Sequence, residues 1–269
     1  MPLRFVSATC LFLVTMVSIS MPPAVAQPTD QGVTAGSQFY EVRTYDLGDN
    51  GDAASVDDYL ANALLPALNR LGIETVGAFA PNAEDETGAN AIFVVIPYDS
   101  PNQIASVRDS LANDAQYQAA AKDYLDRGPQ NSPYKRIRSE LLSSMACWPQ
   151  LKVADGSLEN SERVYELRLY ESANERIGDL KVEMFDNGEV PIFLDCGITP
   201  IFVGQCVLGP QMPNLTYLTL YPSESARQDA WKAFRVHPDW KVLSKNPKYA
   251  GTVSRIDKFV LSPKPYSQM

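Results

Sequence analysis

The chain has 269 residues, 45% hydrophobic and 20% charged, with 23 Lys and Arg against 32 Asp and Glu and a single His. That apolar content excludes a disordered chain, and the length suits one large domain or two small ones. A formal net charge of −9 argues against a phosphate-binding surface and hence against a nucleic-acid partner, and one His with four Cys offers little for a transition-metal site.

The N-terminus reads as an address label. Arg4 supplies a basic start, Phe5–Ile19 is an apolar run, and Ala24-Val25-Ala26 forms an A-x-A site. Together these predict a secretory signal peptide over 1–26, cleaved after Ala26, and a secreted or periplasmic protein. The run is shorter than the roughly 20 residues of a membrane span, and no second run of that length follows, so no span is expected after cleavage. Cleavage removes Arg4 and Cys10, leaving Cys147, Cys196 and Cys206. An odd count is no disulfide framework, and the ten residues separating Cys196 from Cys206 place them on different elements, unbridged. Residues 27–37 are polar and read as a flexible leader.

The remainder is an internal repeat. Phe39-Tyr40-Glu41-Val42-Arg43-Thr44-Tyr45 matches Val164-Tyr165-Glu166-Leu167-Arg168-Leu169-Tyr170 at an offset of 125, which Pro66 and Pro191, then Gly72 and Gly197, preserve. Leu111 and Tyr117 fall on Phe234 and Trp240, and Arg136-Ile137 on Arg255-Ile256, at slowly shrinking offsets. Two copies of one module separated by small loop deletions explain this pattern.

In chain order, the period-two runs at 39–45 and 164–170 predict first strands. Helices follow at Ser55–Leu71 and Ile177–Cys196, the first opened by a Ser55/Asp58 capping-box spacing. Pro66 and Pro191 lie inside these helices and predict a kink or an early end. Second strands are expected at 73–80 and 198–208, and third strands at 91–98 and 215–221. Helices at 101–125 and 223–244 and fourth strands at 134–142 and 253–261 complete each copy. The expected class is therefore α+β, with two tandem ferredoxin-like β-α-β-β-α-β modules over 38–145 and 163–269. A linker at 146–162 joins them. Each module leaves one sheet face bare, so the two are expected to cover each other, sheet to sheet, as an eight-stranded pseudo-barrel wrapped by helices.

From Tyr165-Glu166-Leu167-Arg168-Leu169-Tyr170 onward the chain resembles the NIPSNAP family. The resemblance runs through Trp231-Lys232-Ala233-Phe234 and His237-Pro238-Asp239-Trp240 to Leu261-Ser262-Pro263 and Tyr266-Ser267. It implies a dimeric α/β-barrel fold and carries over no reaction, because the family has no agreed catalytic residues. Its eukaryotic members are associated with mitochondria and vesicle traffic, from which the export signal departs.

The candidate site residues are the paired triplets Glu41, Arg43, Tyr45 and Glu166, Arg168, Tyr170. Alternation places each triplet on one face of its strand, and that face is expected to point into the barrel, with Tyr40, Val42, Thr44 and Tyr165, Leu167, Leu169 against the helices. Inside a barrel an Arg could fix an anionic or carbonyl group of a small ligand; internal ion pairs that set the sheet register are the plainer alternative. His237-Pro238 reads as a break in the last helix, with Asp114 in the corresponding place. Trp231, Phe234 and Trp240 read as packing residues. Asp46–Asp52 lacks the ligand pattern of a calcium loop and reads as an acidic turn. No nucleotide-binding, serine-hydrolase, zinc or C-x-x-C motif occurs in the mature chain, and no cofactor or metal is expected. Two functions remain open. One is non-catalytic binding of a small molecule or a protein partner. The other is a cofactor-free small-molecule oxygenase or isomerase using the barrel pocket. A filled barrel favours the first, and an open cavity reaching Arg43 or Arg168 the second.

Overall fold

A computed structural model describes residues 36–269; the expected signal peptide and nearly all of the leader lie outside them. Eight antiparallel strands close into one barrel in the order β1-β3-β2-β8-β5-β7-β6-β4. They are β1 Phe39–Asp46, β2 Gly77–Pro81, β3 Ala91–Tyr98, β4 Arg136–Ser144, β5 Val164–Glu171, β6 Thr199–Leu208, β7 Asn214–Tyr221 and β8 Arg255–Pro263. Each half has the element order β-α-β-β-α-β with its first strand central. The halves do more than lie face to face: their edge strands hydrogen-bond, β2 to β8 and β4 to β6, so no sheet edge is left unpaired.

Helices coat the outside. The first runs as α1 Ala53–Tyr59, a π-helical turn Leu60–Leu64 and α2 Leu65–Arg70. The loosened turn has a local cause. Pro66 has no N–H and crowds the preceding turn, and Leu65 N–H bonds back five residues to Leu60 O. The second half repeats the device before Pro191, as α6 Glu175–Met184, a π-helical turn Phe185–Glu189 and α7 Val190–Asp195. The expected kink at Pro66 is thus a single wide turn, whereas the turn before Pro191 also carries a kink, at the non-helical backbone of Gly188. The first helix begins before Ser55, because Asp52, not Ser55, caps it by accepting from Ser55 N–H at 3.0 Å.

The long helices expected at 101–125 and 223–244 are each broken, the second at His237-Pro238 as expected and the first at Asp114, which was not. Asp114 ends α3 Pro101–Asn113 and caps α4 Ala115–Ala120, with α5 Lys122–Leu125 beyond. His237 ends α8 Glu224–Val236 and caps α9 Pro238–Leu243, its Nδ1 accepting from Asp239 N–H at 3.3 Å. Cys147, Cys196 and Cys206 are all free thiols. Among the described residues no helix is long and apolar enough to cross a membrane.

Three cores follow from this architecture. One lies between each half's helices and the outer sheet face, and the third lies inside the barrel. The barrel core holds Tyr40, Val42, Tyr165 and Leu167, whereas Tyr45 packs in the first helix layer and Tyr170 in the second. The expected facing of β1 and β5 is therefore reversed: the charged triplets look outward, under the helices. The physical reason is supply of partners. A buried charge survives only where counter-groups reach it, and α8 brings Arg227 and Trp231 to Glu166.

Candidate functional site

The triplets are self-satisfied. Arg43 donates from Nε to Glu41 at 2.9 Å and from Nη2 at 3.0 Å, and reaches the Tyr45 hydroxyl at 3.4 Å. Tyr98 and Ser139 donate to the same carboxylate. Although burial opposes it, the Arg43 charge and these hydrogen bonds hold Glu41 below the usual carboxylate range. In the second half Glu166 is fully buried, accepting from Arg168, from Arg227 at 2.5 Å and from Trp231 Nε1 at 3.0 Å. The Arg168 guanidinium lies 3.7 Å from the centre of the Trp231 ring, and Tyr170 accepts from Tyr217 at 2.7 Å. Nearby, Lys181 pairs with Glu189 at 2.7 Å in the same helix layer. The second cluster holds α8 to the sheet, the first ties β1 to β3 and β4, and none of the six triplet residues lines the barrel cavity.

The cavity is elsewhere. Inward-facing residues change size along the barrel. At the end where β1 begins, Tyr40, Phe79, Tyr165, Phe202 and Leu261 are fully buried and close the interior, and Met269 packs among them. The connection at 146–162 lays Leu151 and Val153 against this end. Toward the other end the inward residues shrink to Thr44, Ala91 and Thr216, leaving an open cavity of about 800 Å³. That is the size of a small-molecule site. Its walls are apolar at Val42, Phe93, Leu167, Leu169 and Phe259, and its mouth is charged.

Glu140 stands on this wall. In β4 it pairs with Val42 of β1, on the same face as inward Leu142. It is 7% exposed and lines the cavity, yet forms no hydrogen bond or ion pair. Burial, then the charges of Asp257 and Glu171, push its carboxyl up to about 7. Buried Cys206 has its thiol pushed up to about 12 by burial and by Glu140, so it is a neutral neighbour and no nucleophile. Gln211 donates to Glu171 at 2.7 Å and to Asp257 at 2.9 Å, tying the β6–β7 loop across the mouth.

Glu140 is not among the candidate residues legible from the triplets. The signal was present in alternation: Arg138, Glu140 and Leu142 share one face of β4, and an apolar Leu142 facing inward carries Glu140 with it. The cavity is open, but neither Arg43 nor Arg168 reaches it, so the barrel is part filled and part open. His237, exposed enough to cap a helix from the surface layer, is not part of it. Asp52 of the acidic turn pairs with Arg127 at 2.9 Å besides capping α1.

The NIPSNAP family profile matches residues 40–129 and 165–268, most of the chain and both halves of the barrel. The chain belongs to the NIPSNAP family. No functionally curated protein matches it. Among solved structures, this NIPSNAP-family chain is similar to a provisionally assigned monooxygenase from Fusobacterium nucleatum, at 12% identity and a TM-score of 0.54, over 84% of this chain and 92% of that one. A second provisionally assigned monooxygenase, from Lactobacillus acidophilus, is similar at 9% identity and a TM-score of 0.52, over 84% and 94%. A NIPSNAP-like domain protein from Burkholderia xenovorans matches 40% of this chain and 90% of its own length, at 17% identity and a TM-score of 0.36. At such identities the two monooxygenase likenesses establish the barrel fold alone.

Proposed function

We propose that this protein binds a small, largely apolar molecule in the open half of its barrel, with Glu140 as the polar anchor. One observation carries the reading: the Glu140 carboxyl, without a hydrogen bond or ion pair, lines a cavity of about 800 Å³ walled by Val42, Phe93, Leu167, Leu169 and Phe259, with Thr44 and Thr216 among them and charged groups toward the mouth. An unsatisfied buried polar group costs stability, and a ligand that satisfies it recovers that cost. The triplets, in this reading, are packing devices and not ligand contacts. The halves are tandem ferredoxin-like modules, which the repeated element order and the two-segment family match support. The N-terminal sequence supports export with cleavage after Ala26, which would place the cavity in the periplasm or outside the cell.

Native mass spectrometry of protein isolated from its own host tests the binding role. The expected spectrum carries a small-molecule adduct that Ala91→Phe, which fills the cavity, removes. An adduct surviving in the folded variant contradicts the site.

A second reading has its own support. A carboxyl that titrates near neutrality can accept and return a proton, so cofactor-free oxygenation or isomerisation of the bound molecule is the catalytic alternative. The monooxygenase assignments of two fold neighbours agree with it. Turnover that disappears in Glu140→Gln while ligand binding persists would establish it.

A further inference from the structure

The charges around the cavity mouth are unevenly matched. Arg138 lies 3.7 Å from Asp46, Arg255 2.9 Å from Asp257, and Lys258 4.0 Å from Glu86. Each basic group thus has its own acid. Glu171 and Glu140 are left without a cation, and Gln211 hydrogen-bonds Glu171. Glu140 alone has nothing, although it is 93% buried and faces the empty volume.

We propose that the ligand of this cavity is an organic amine, its protonated nitrogen against Glu140 and its apolar body between Phe93, Leu167 and Phe259. The inference rests on the cavity being a ligand site and adds the class of molecule. An anionic head against Glu140 would be repelled by its carboxylate and by the charges of Asp257 and Glu171 that act on the same spot, whereas the basic groups of the lining, Arg138, Arg255 and Lys258, are each engaged by an acid of their own. A hydroxyl would donate one hydrogen bond and leave the carboxylate's charge uncompensated. An ammonium group supplies both the charge and up to three donors. Among the described residues no group of three or more His, Cys, Asp or Glu is arranged to hold a metal ion.

Protonation gives the inference a sign. The groups acting on Glu140 are Asp257 from β8, Glu171 from β5 and the neutral thiol of Cys206 from β6. Arg138 on its own strand is engaged by Asp46 of β1. Burial and the two neighbouring acids keep Glu140 largely protonated below pH 7. An ammonium ligand binds the ionised form, so its affinity rises as pH rises through 7. With a midpoint near 7, the ionised fraction grows about tenfold between pH 6 and pH 8.

Isothermal titration calorimetry with n-octylamine, 1-octanol and octanoate at pH 6 and pH 8 tests this. The expected result is amine binding that tightens about tenfold from pH 6 to pH 8 and exceeds that of octanol at least tenfold at pH 8. Octanoate should be the weakest ligand. In Glu140→Gln the amine should lose both its advantage over octanol and its pH dependence. If octanol or octanoate matches the amine at pH 8, the amine assignment is overturned while the cavity stands. If none of the three binds, the cavity reading fails and takes the assignment with it. A Glu140→Gln protein that keeps the amine preference overturns the role given to Glu140. The amine-to-octanol ratio in the parent protein decides the class without any variant.

Discussion

At Glu140 the folded protein holds a proton that the unfolded chain releases, because burial and two neighbouring carboxylates push this carboxyl from 4.5 up to about 7. Between those values the native state binds more protons than the unfolded state, so its stability falls as pH rises through the window. At about 1.4 kcal/mol per tenfold, the ionised group costs roughly 3–4 kcal/mol above pH 7. Glu140→Gln is therefore expected to raise the Tm by about 5–10 °C at pH 8 and to change it little at pH 4.5. Calorimetry at both values checks this, and an equal shift at the two would show that the carboxyl is not desolvated. The two triplet arginines should differ from each other. Arg168→Ala empties the space over Trp231 and strips one of three donors from a fully buried Glu166, a loss of about 3–5 kcal/mol. Arg43→Ala should cost less, because the side chains of Arg43 and Glu41 are 22% and 12% exposed and water can replace part of the pairing. Denaturant melts of both variants give the order, and an Arg43 variant as unstable as the Arg168 one contradicts it.

Among the elements, the seam between β4 and β6 is where closure is tightest. A Cβ at Gly204 would stand 2.8 Å from Leu142 Cβ and 3.2 Å from Ser143 O, so only glycine lets the strands meet there. Gly204→Ala should force β4 away from β6 and cost about 1–3 kcal/mol. Faster amide exchange in β4 and β6 but not in β5 is the expected signature, and unchanged exchange along the seam would place the close contact elsewhere. The strands and helices were largely legible, because β1 and β5 alternate, the helices carry their own stop signals, and the repeat let each half check the other. The break at His237-Pro238 was legible from its proline, whereas the one at Asp114, which has no breaking residue, shows where legibility ended. The facing of β1 and β5 was not legible at all. In a closed barrel coated by helices both strand faces are buried, so alternation separates two sets of residues without saying which set is inside. The deciding groups, Arg227 and Trp231, lie about 60 residues away from Glu166 in sequence.

For the whole molecule, the repeat implied mutual cover, but not that closure would be uneven along the barrel axis. That follows from side-chain size. Tyr40, Phe79, Tyr165 and Phe202 close one end, whereas Thr44, Ala91 and Thr216 leave the other open. The family match and the barrel neighbours fit this frame without assigning it chemistry. At this scale we propose that the open half of the barrel is a ligand site anchored at Glu140. Its most direct test is the crystal structure of the protein soaked with a bromine-labelled alkylamine, read by anomalous scattering. Bromine density is expected between Phe93, Leu167 and Phe259 with the amine nitrogen against Glu140. Bromine bound only outside the barrel, with the cavity filled by ordered water or collapsed side chains, would contradict it.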